Sequence, residues 1–162
     1  MKTLIMTFAL ISSTVAANLP SEFDRDIYIS GEKIFDNKCS ECHVKSMPIP
    51  LLMKNFIEEN NQTLKLKAPT GNEISFRLKQ QVGHKEDMEF HLIQTNDFLK
   101  DYLFNPNLAK TICLEGVIKH FEVMPSMKDK ITEEEIEEVN HFLYFLEGFN
   151  GINEYYHDET KF

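Results

Sequence analysis

Cys39-Ser40-Glu41-Cys42-His43 places two thiols and an imidazole within five consecutive positions. Three chemistries use residues of these types at this spacing. A C-x-x-C pair can be a redox dithiol, which needs a thioredoxin-like βαβ context. It can also be half of a zinc site, which needs a second Cys or His pair at ligand spacing. C-x-x-C-H is the pattern that attaches c-type haem. The chain offers neither a βαβ pattern nor a second ligand pair, so the motif points to haem attachment. Each thiol would add across a haem vinyl group, and His43 would then lie beneath the iron as its proximal axial ligand. The cofactor implied is one haem c, bound covalently through Cys39 and Cys42.

Such a motif needs rigid elements to deliver it, and the periodicity supplies helices. Ile27, Gly31, Ile34 and Phe35 fall on one face of a helix predicted over 21–38, which leads directly into Cys39. A glycine inside a helix costs about 1 kcal/mol relative to alanine, so Gly31 implies close approach of another helix. After His43, Met47-Pro48-Ile49-Pro50 predicts an extended turn. Thr70-Gly71-Asn72-Glu73 reads as a capping box that opens a helix over 70–81, with Ile74 and Leu78 on one face. Further helices are predicted over 97–104 and 108–121, separated by Asn105-Pro106-Asn107, and the polar stretch 83–87 should be exposed. A second capping box, Thr132 with Glu135, starts the last helix, flanked by the staple pair Ile131 and Ile136. Glu133, Glu134 and Glu135 put negative charge at the positive end of its dipole. The stripe Ile136, Val139, Phe142, Leu143 and Leu146 faces the core. The fold class expected is all-α.

Residues 1–17 carry Lys2, an apolar run over 4–11 and a small-residue ending, the pattern of a secretory signal peptide cleaved after Ala17. Residues 18–162, 145 positions, then form one domain, and the expected location is the periplasm. No later segment is apolar enough to cross a membrane. Without Lys2, 16 basic side chains stand against 26 acidic ones, a formal charge of −10. That balance argues against a nucleic-acid partner and suits either plain solubility or steering toward a basic docking surface on a redox partner. Cys113 has no partner thiol and reads as a small buried apolar side chain in a helix. His84 and His91 read as surface or hydrogen-bonded histidines rather than ligands, and the tail beyond Gly148 has no clear period.

Gly31 with Phe35, the haem motif directly after them, and Met124-Pro125 ahead of a capped last helix together resemble class I c-type cytochromes. The resemblance implies a cytochrome c-like helical fold wrapped around one haem, with the first and last helices crossing where Gly31 and Phe35 meet Phe142. It implies Met124 as the sixth ligand, with Met127 in a bulky packing position, and haem attached after export on the outer side of the cytoplasmic membrane. Met127 is the competing sulfur, and an open site or ligation through His120 are the other readings. A proline carbonyl, from Pro50 or its neighbour Pro48, would hold the Nδ1–H of His43. The chain departs from the family in lacking a Gly-Pro at this place and in the 81 positions between His43 and Met124, which call for extra helices. The activity implied is one-electron transfer rather than enzymatic catalysis, between a quinol-oxidising membrane complex and a terminal oxidase, peroxidase or other reductase. Two alternatives remain open: a haem sensor or small haem enzyme with an open sixth position, and a cytochrome subunit of a larger respiratory complex.

Overall fold

The structure, a computed structural model, describes residues 20–146. The leader segment 1–17 and the tail beyond Gly148 lie outside the described residues. Every regular element among them is helical, so the all-α expectation holds. Helix α1 spans Arg25–Lys38 and opens where Asp24 accepts from the backbone N–H groups of Asp26 and Ile27 at 2.9 and 3.1 Å. Acidic Asp26 in its first turn and basic Lys38 in its last both complement the dipole. The last helix, α6, spans Glu133–Phe145; Thr132 accepts from Glu135 N at 3.2 Å, and Glu135 Oε2 accepts from Thr132 N at 2.8 Å.

These two helices pack directly on each other, and Gly31 marks the contact. A Cβ built there would lie 1.9 Å from the carbonyl oxygen of Glu138 and 2.8 Å from Cβ of Phe142. No side chain fits in that gap, which is the physical reason for a glycine in mid-helix. Around it the rings of Phe35 and Phe142 sit 5.5 Å apart and those of Tyr28 and Phe142 5.2 Å apart, within aromatic contact range. Ile136, Val139, Phe142, Leu143 and Leu146 are all buried, as the stripe predicted. Ile27 departs from the expected face: it is 37% exposed, because it stands at the first turn of α1, ahead of the contact centred on Gly31.

The middle of the chain supplies the extra helices in a different arrangement from the one expected. Pro48 and Pro50 start a helix where an extended turn was expected: α2 spans Ile49–Met53, and the carbonyl of Pro48 accepts from the N–H groups of Leu51 and Leu52. A proline in the first turn lacks only an N–H that would be unpaired anyway. A π-helical turn, Lys54–Glu58, continues it. Helix α3 spans Gly71–Gln81 with the Thr70–Glu73 capping box at its start, and Leu78 is fully buried on its inner face. Helix α4 spans Met88–Phe104, beginning nine residues before the expected start at 97, and Asp87 caps it by accepting from Phe90 N at 2.9 Å. Its buried positions are His91, Thr95 and Leu99; two of the three are polar, so the apolar period does not reveal the first half. The predicted helix over 108–121 is replaced by a 3-10 turn, Leu108–Lys110, and a single α turn, α5, Glu115–Ile118. Side chains take the backbone bonds that a helix would use: Arg77 Nε donates to Ile112 O at 2.6 Å, and Thr111 Oγ1 accepts from Cys113 N at 3.2 Å. Cys113 therefore stands in a bend, half-buried, and not in a helix.

Candidate functional site

The motif begins where α1 ends. Cys39 caps the helix through Phe35 O, and the carbonyl of Cys39 then accepts from Cys42 N at 3.1 Å and His43 N at 2.9 Å. The two thiols and the imidazole are thus carried on one tight turn. Both cysteines are free; Cys39 packs against the core and Cys42 is exposed. Burial pushes the Cys39 thiol up to about 11, with the neighbouring Lys38 charge opposing it.

His43 is half-buried, and its Nδ1 lies 2.7 Å from the carbonyl oxygen of Pro69. Burial lowers its pKa, and the Pro69 bond raises it by less, so the ring is neutral at neutral pH. A carbonyl only accepts, so the proton sits on Nδ1 and the lone pair on Nε2. No described residue hydrogen-bonds that Nε2. The carbonyl that orients His43 comes from Pro69, not from Pro50 or Pro48 as expected. Both of those carbonyls are consumed inside α2, that of Pro50 by the N–H of Lys54.

The segment after His43 is fastened to the start of α3. Gly71 N donates to Val44 O at 2.8 Å and Asn72 N to Lys45 O at 3.1 Å, so N–H groups that a helix start leaves unpaired are taken by the loop. The side chain of Asn72, 1% exposed, accepts from Met47 N at 3.3 Å and donates to Met47 O at 2.8 Å. A Cβ at Gly71 would come 2.6 Å from Lys45 O, so the loop approaches the helix too closely for any other residue. Lys45 ties the same loop back to α1 through Glu32 and Asp36, each at 2.9 Å. Sequence reasoning missed Pro69, Gly71 and Asn72 as site residues. Their signal was the capping box, which was legible only as a helix start.

Beyond this clamp lies a cavity of about 490 Å³ between α2 with its π turn, α3, and residues 113–119; Leu52, Met53, Phe56, Phe76, Cys113 and Val117 are among its walls. Its size lies within the roughly 300–1,000 Å³ range of small-molecule and cofactor pockets. Glu73 and Arg77 bring charge to the α3 wall. Glu73 also accepts from Thr70 N at 2.8 Å, next to the Pro69 carbonyl that holds His43, so the clamp and the cavity wall share one helix start.

Met124 stands half-buried in the stretch 122–127, which has no regular secondary structure. Met127 instead packs against the core, its N–H donating to Leu103 O at 2.8 Å. His91 is 2% exposed and hydrogen-bonded through both nitrogens, to Tyr144 Oη at 2.9 Å and Val82 O at 2.8 Å. His84 lies in the exposed stretch 83–87. Among the described residues, no group of three or more His, Cys, Asp or Glu side chains could hold a metal ion. A haem asks less of a protein, because the porphyrin supplies four donors and the chain only axial ligands. Two thiols on one turn and an oriented imidazole with an unused Nε2 are donors of the kind that group takes, whereas none of Cys39, Cys42, His43 and Met124 is a wall of the cavity.

No protein-family model matches the chain, and no solved structure matches it. The chain is similar to a protein of Aquifex aeolicus (strain VF5) described as uncharacterized, with 29% identity over 145 residues, 89% of this chain and 87% of that protein. No helix among the described residues is long and apolar enough to cross a membrane.

Proposed function

We propose that this chain is an exported monohaem c-type cytochrome that carries single electrons between redox partners. The observation that carries the reading is the His43 imidazole: neutral, oriented by Pro69 O at 2.7 Å, with Nε2 unused, one residue after a free thiol and four after another. When bound, the haem supplies the reversible one-electron chemistry of its iron. Cys39 and Cys42 are its covalent anchors. His43 is the proximal ligand, and the bond to Pro69 fixes the ring and raises its basicity toward the metal. Met124 is the sixth ligand, a reading supported by Met127 being engaged in core packing, and a thioether there raises the reduction potential. The packing of α1 on α6 at Gly31 holds the turn that bears the thiols. The surplus of acidic over basic side chains suits a basic docking surface on the partner.

Intact-mass measurement after export from a strain with haem-attachment machinery tests this. The expected mass is that of a chain starting at Asn18 plus one haem that survives denaturation. A mass equal to the bare polypeptide contradicts the reading.

A further inference from the structure

The cavity between α2 with its π turn, α3 and residues 113–119 has no part in the reading above, since none of Cys39, Cys42, His43 and Met124 is one of its walls. At about 490 Å³ it has room for a small organic molecule. Its surface says which kind. Leu52, Met53, Phe56, Phe76, Leu114 and Val117 line it with hydrocarbon, aromatic and thioether groups. The two charged side chains of the α3 wall are engaged by the protein itself. Glu73 Oε2 accepts from Thr70 N at 2.8 Å, and Arg77 donates through Nε to Ile112 O at 2.6 Å and through Nη1 to Gln80 Oε1 at 3.2 Å. The Cys113 thiol is neutral, because burial pushes its pKa up to about 11. Glu115 and Lys119 stand exposed at the rim, four positions apart and opposite in sign, so the rim favours neither an anion nor a cation.

The α2 side of the cavity is built to keep its shape. Phe56 and Ile57 belong to the π turn Lys54–Glu58, a rare backbone form that recurs at functional sites. Asn55 in the same turn is 0% exposed; its amide donates to Asn61 Oδ1 at 2.8 Å and accepts from Leu64 N at 3.0 Å. Both ends of that side chain are used, so the turn holds Phe56 against the cavity without help from an occupant. Ile57, 55% exposed, marks the mouth. Apolar walls do not offer ordered water the two to four polar partners it needs, whereas an apolar molecule supplies the contacts that an empty space denies them.

We propose that this cavity is a binding site for an uncharged, mainly apolar small molecule, entered beside Ile57 and rimmed by Glu115 and Lys119. Nothing in the site depends on whether the chain carries haem.

Isothermal titration calorimetry on the exported protein, its haem content read by mass, tests this with two probes of similar shape. One is naphthol, uncharged at pH 7, and the other is naphthalenesulfonate, an anion. Naphthol is expected to bind once per chain, and the sulfonate more weakly by about tenfold or more, because an unpaired charge is costly among apolar walls. Two variants locate the site. Val117→Phe fills the cavity with a larger side chain, and Ile57→Glu puts a charge at its mouth, at an exposed position that folding does not rely on. Each is expected to weaken naphthol binding by about tenfold or more while the helical circular dichroism stays as in wild type. Absence of naphthol binding, equal binding of the two probes, or an affinity unchanged in Ile57→Glu or in a folded Val117→Phe overturns the proposal. Absence of haem mass is a separate failure, which removes the cytochrome reading and leaves the cavity site standing.

Discussion

Replacing Gly31 with alanine tests the packing on which the site depends. An added Cβ would sit 1.9 Å from the Glu138 carbonyl oxygen, so α1 and α6 would have to separate by about 1.5 Å to reach the 3.4 Å of ordinary contact. Both obstructing groups are backbone or Cβ, so no side-chain rotation relieves them. Overpacking of a core typically costs about 1–3 kcal/mol, and a clash between helix backbones belongs at the upper end. Removing a helical glycine returns about 0.5–1 kcal/mol through lower unfolded-state entropy. The net loss is therefore about 2 kcal/mol, roughly a 25-fold change in the folding equilibrium and a fall in Tm of about 6–12 °C for a domain of this size. Gly116, in α5, is the control, since a Cβ there meets nothing within 4 Å. Gly116→Ala is expected to be neutral or to stabilise by up to about 1 kcal/mol. Thermal and urea unfolding followed by circular dichroism measures both. A Gly31→Ala protein as stable as wild type would refute the reasoning.

Other residues give independent checks. Asn72→Ala removes both side-chain bonds to Met47 and leaves its half-buried backbone N–H and carbonyl without these partners; a loss of about 1 kcal/mol is expected, with a lower yield of haem-loaded protein when it is exported, and unchanged stability would contradict the clamp. Burial pushes the Cys113 thiol up to about 11, so in the haem-free protein a thiol reagent at pH 8 should modify exposed Cys42 quickly and Cys113 only on unfolding; equal rates would show that Cys113 is open to solvent. His141 on α6 is bonded to the backbone of Asp24, and burial lowers its pKa below the usual 6.5 despite the opposing pull of that bond and of the Asp24 charge. Its stabilising contribution is therefore present above about pH 6.5 and lost as the pH falls through the depressed folded value, so His141→Gln should lose less stability than wild type between pH 7 and pH 5. Equal losses in the two proteins would remove His141 as a source of acid sensitivity.

Which parts of the fold were legible follows from which interactions are local. Capping boxes at Thr70 and Thr132 are short-range hydrogen-bond patterns, and both helices begin where those residues stand. The α6 stripe is apolar at every inward position, so its period was visible, and Gly31 showed itself as a glycine without a local reason to be there. The first half of α4 was hidden because its inward residues include His91 and Thr95, which are satisfied by partners such as Tyr144 and the carbonyls of Val82 and Leu92. The 108–121 stretch has helical composition, but Arg77, 35 positions before Ile112, takes the carbonyl there; no local pattern encodes such a contact. The same holds for the site. Cys39, Cys42 and His43 are adjacent in sequence and were found there, whereas Pro69 lies 26 positions from the ring it orients. Proline carbonyls nearer in sequence drew the expectation, and only the tertiary contact between 44–47 and the start of α3 shows why the farther one serves.

The proposed function requires His43 and the two thiols to hold a covalently attached haem whose sixth position is filled by the chain. The absorption spectrum of the purified exported protein, oxidised, reduced, and reduced under carbon monoxide, tests this most directly. Low-spin c-type haem bands that change on reduction and do not change when carbon monoxide is added are the expected result. A protein without haem absorption, or one whose reduced spectrum shifts fully on adding carbon monoxide, would contradict it.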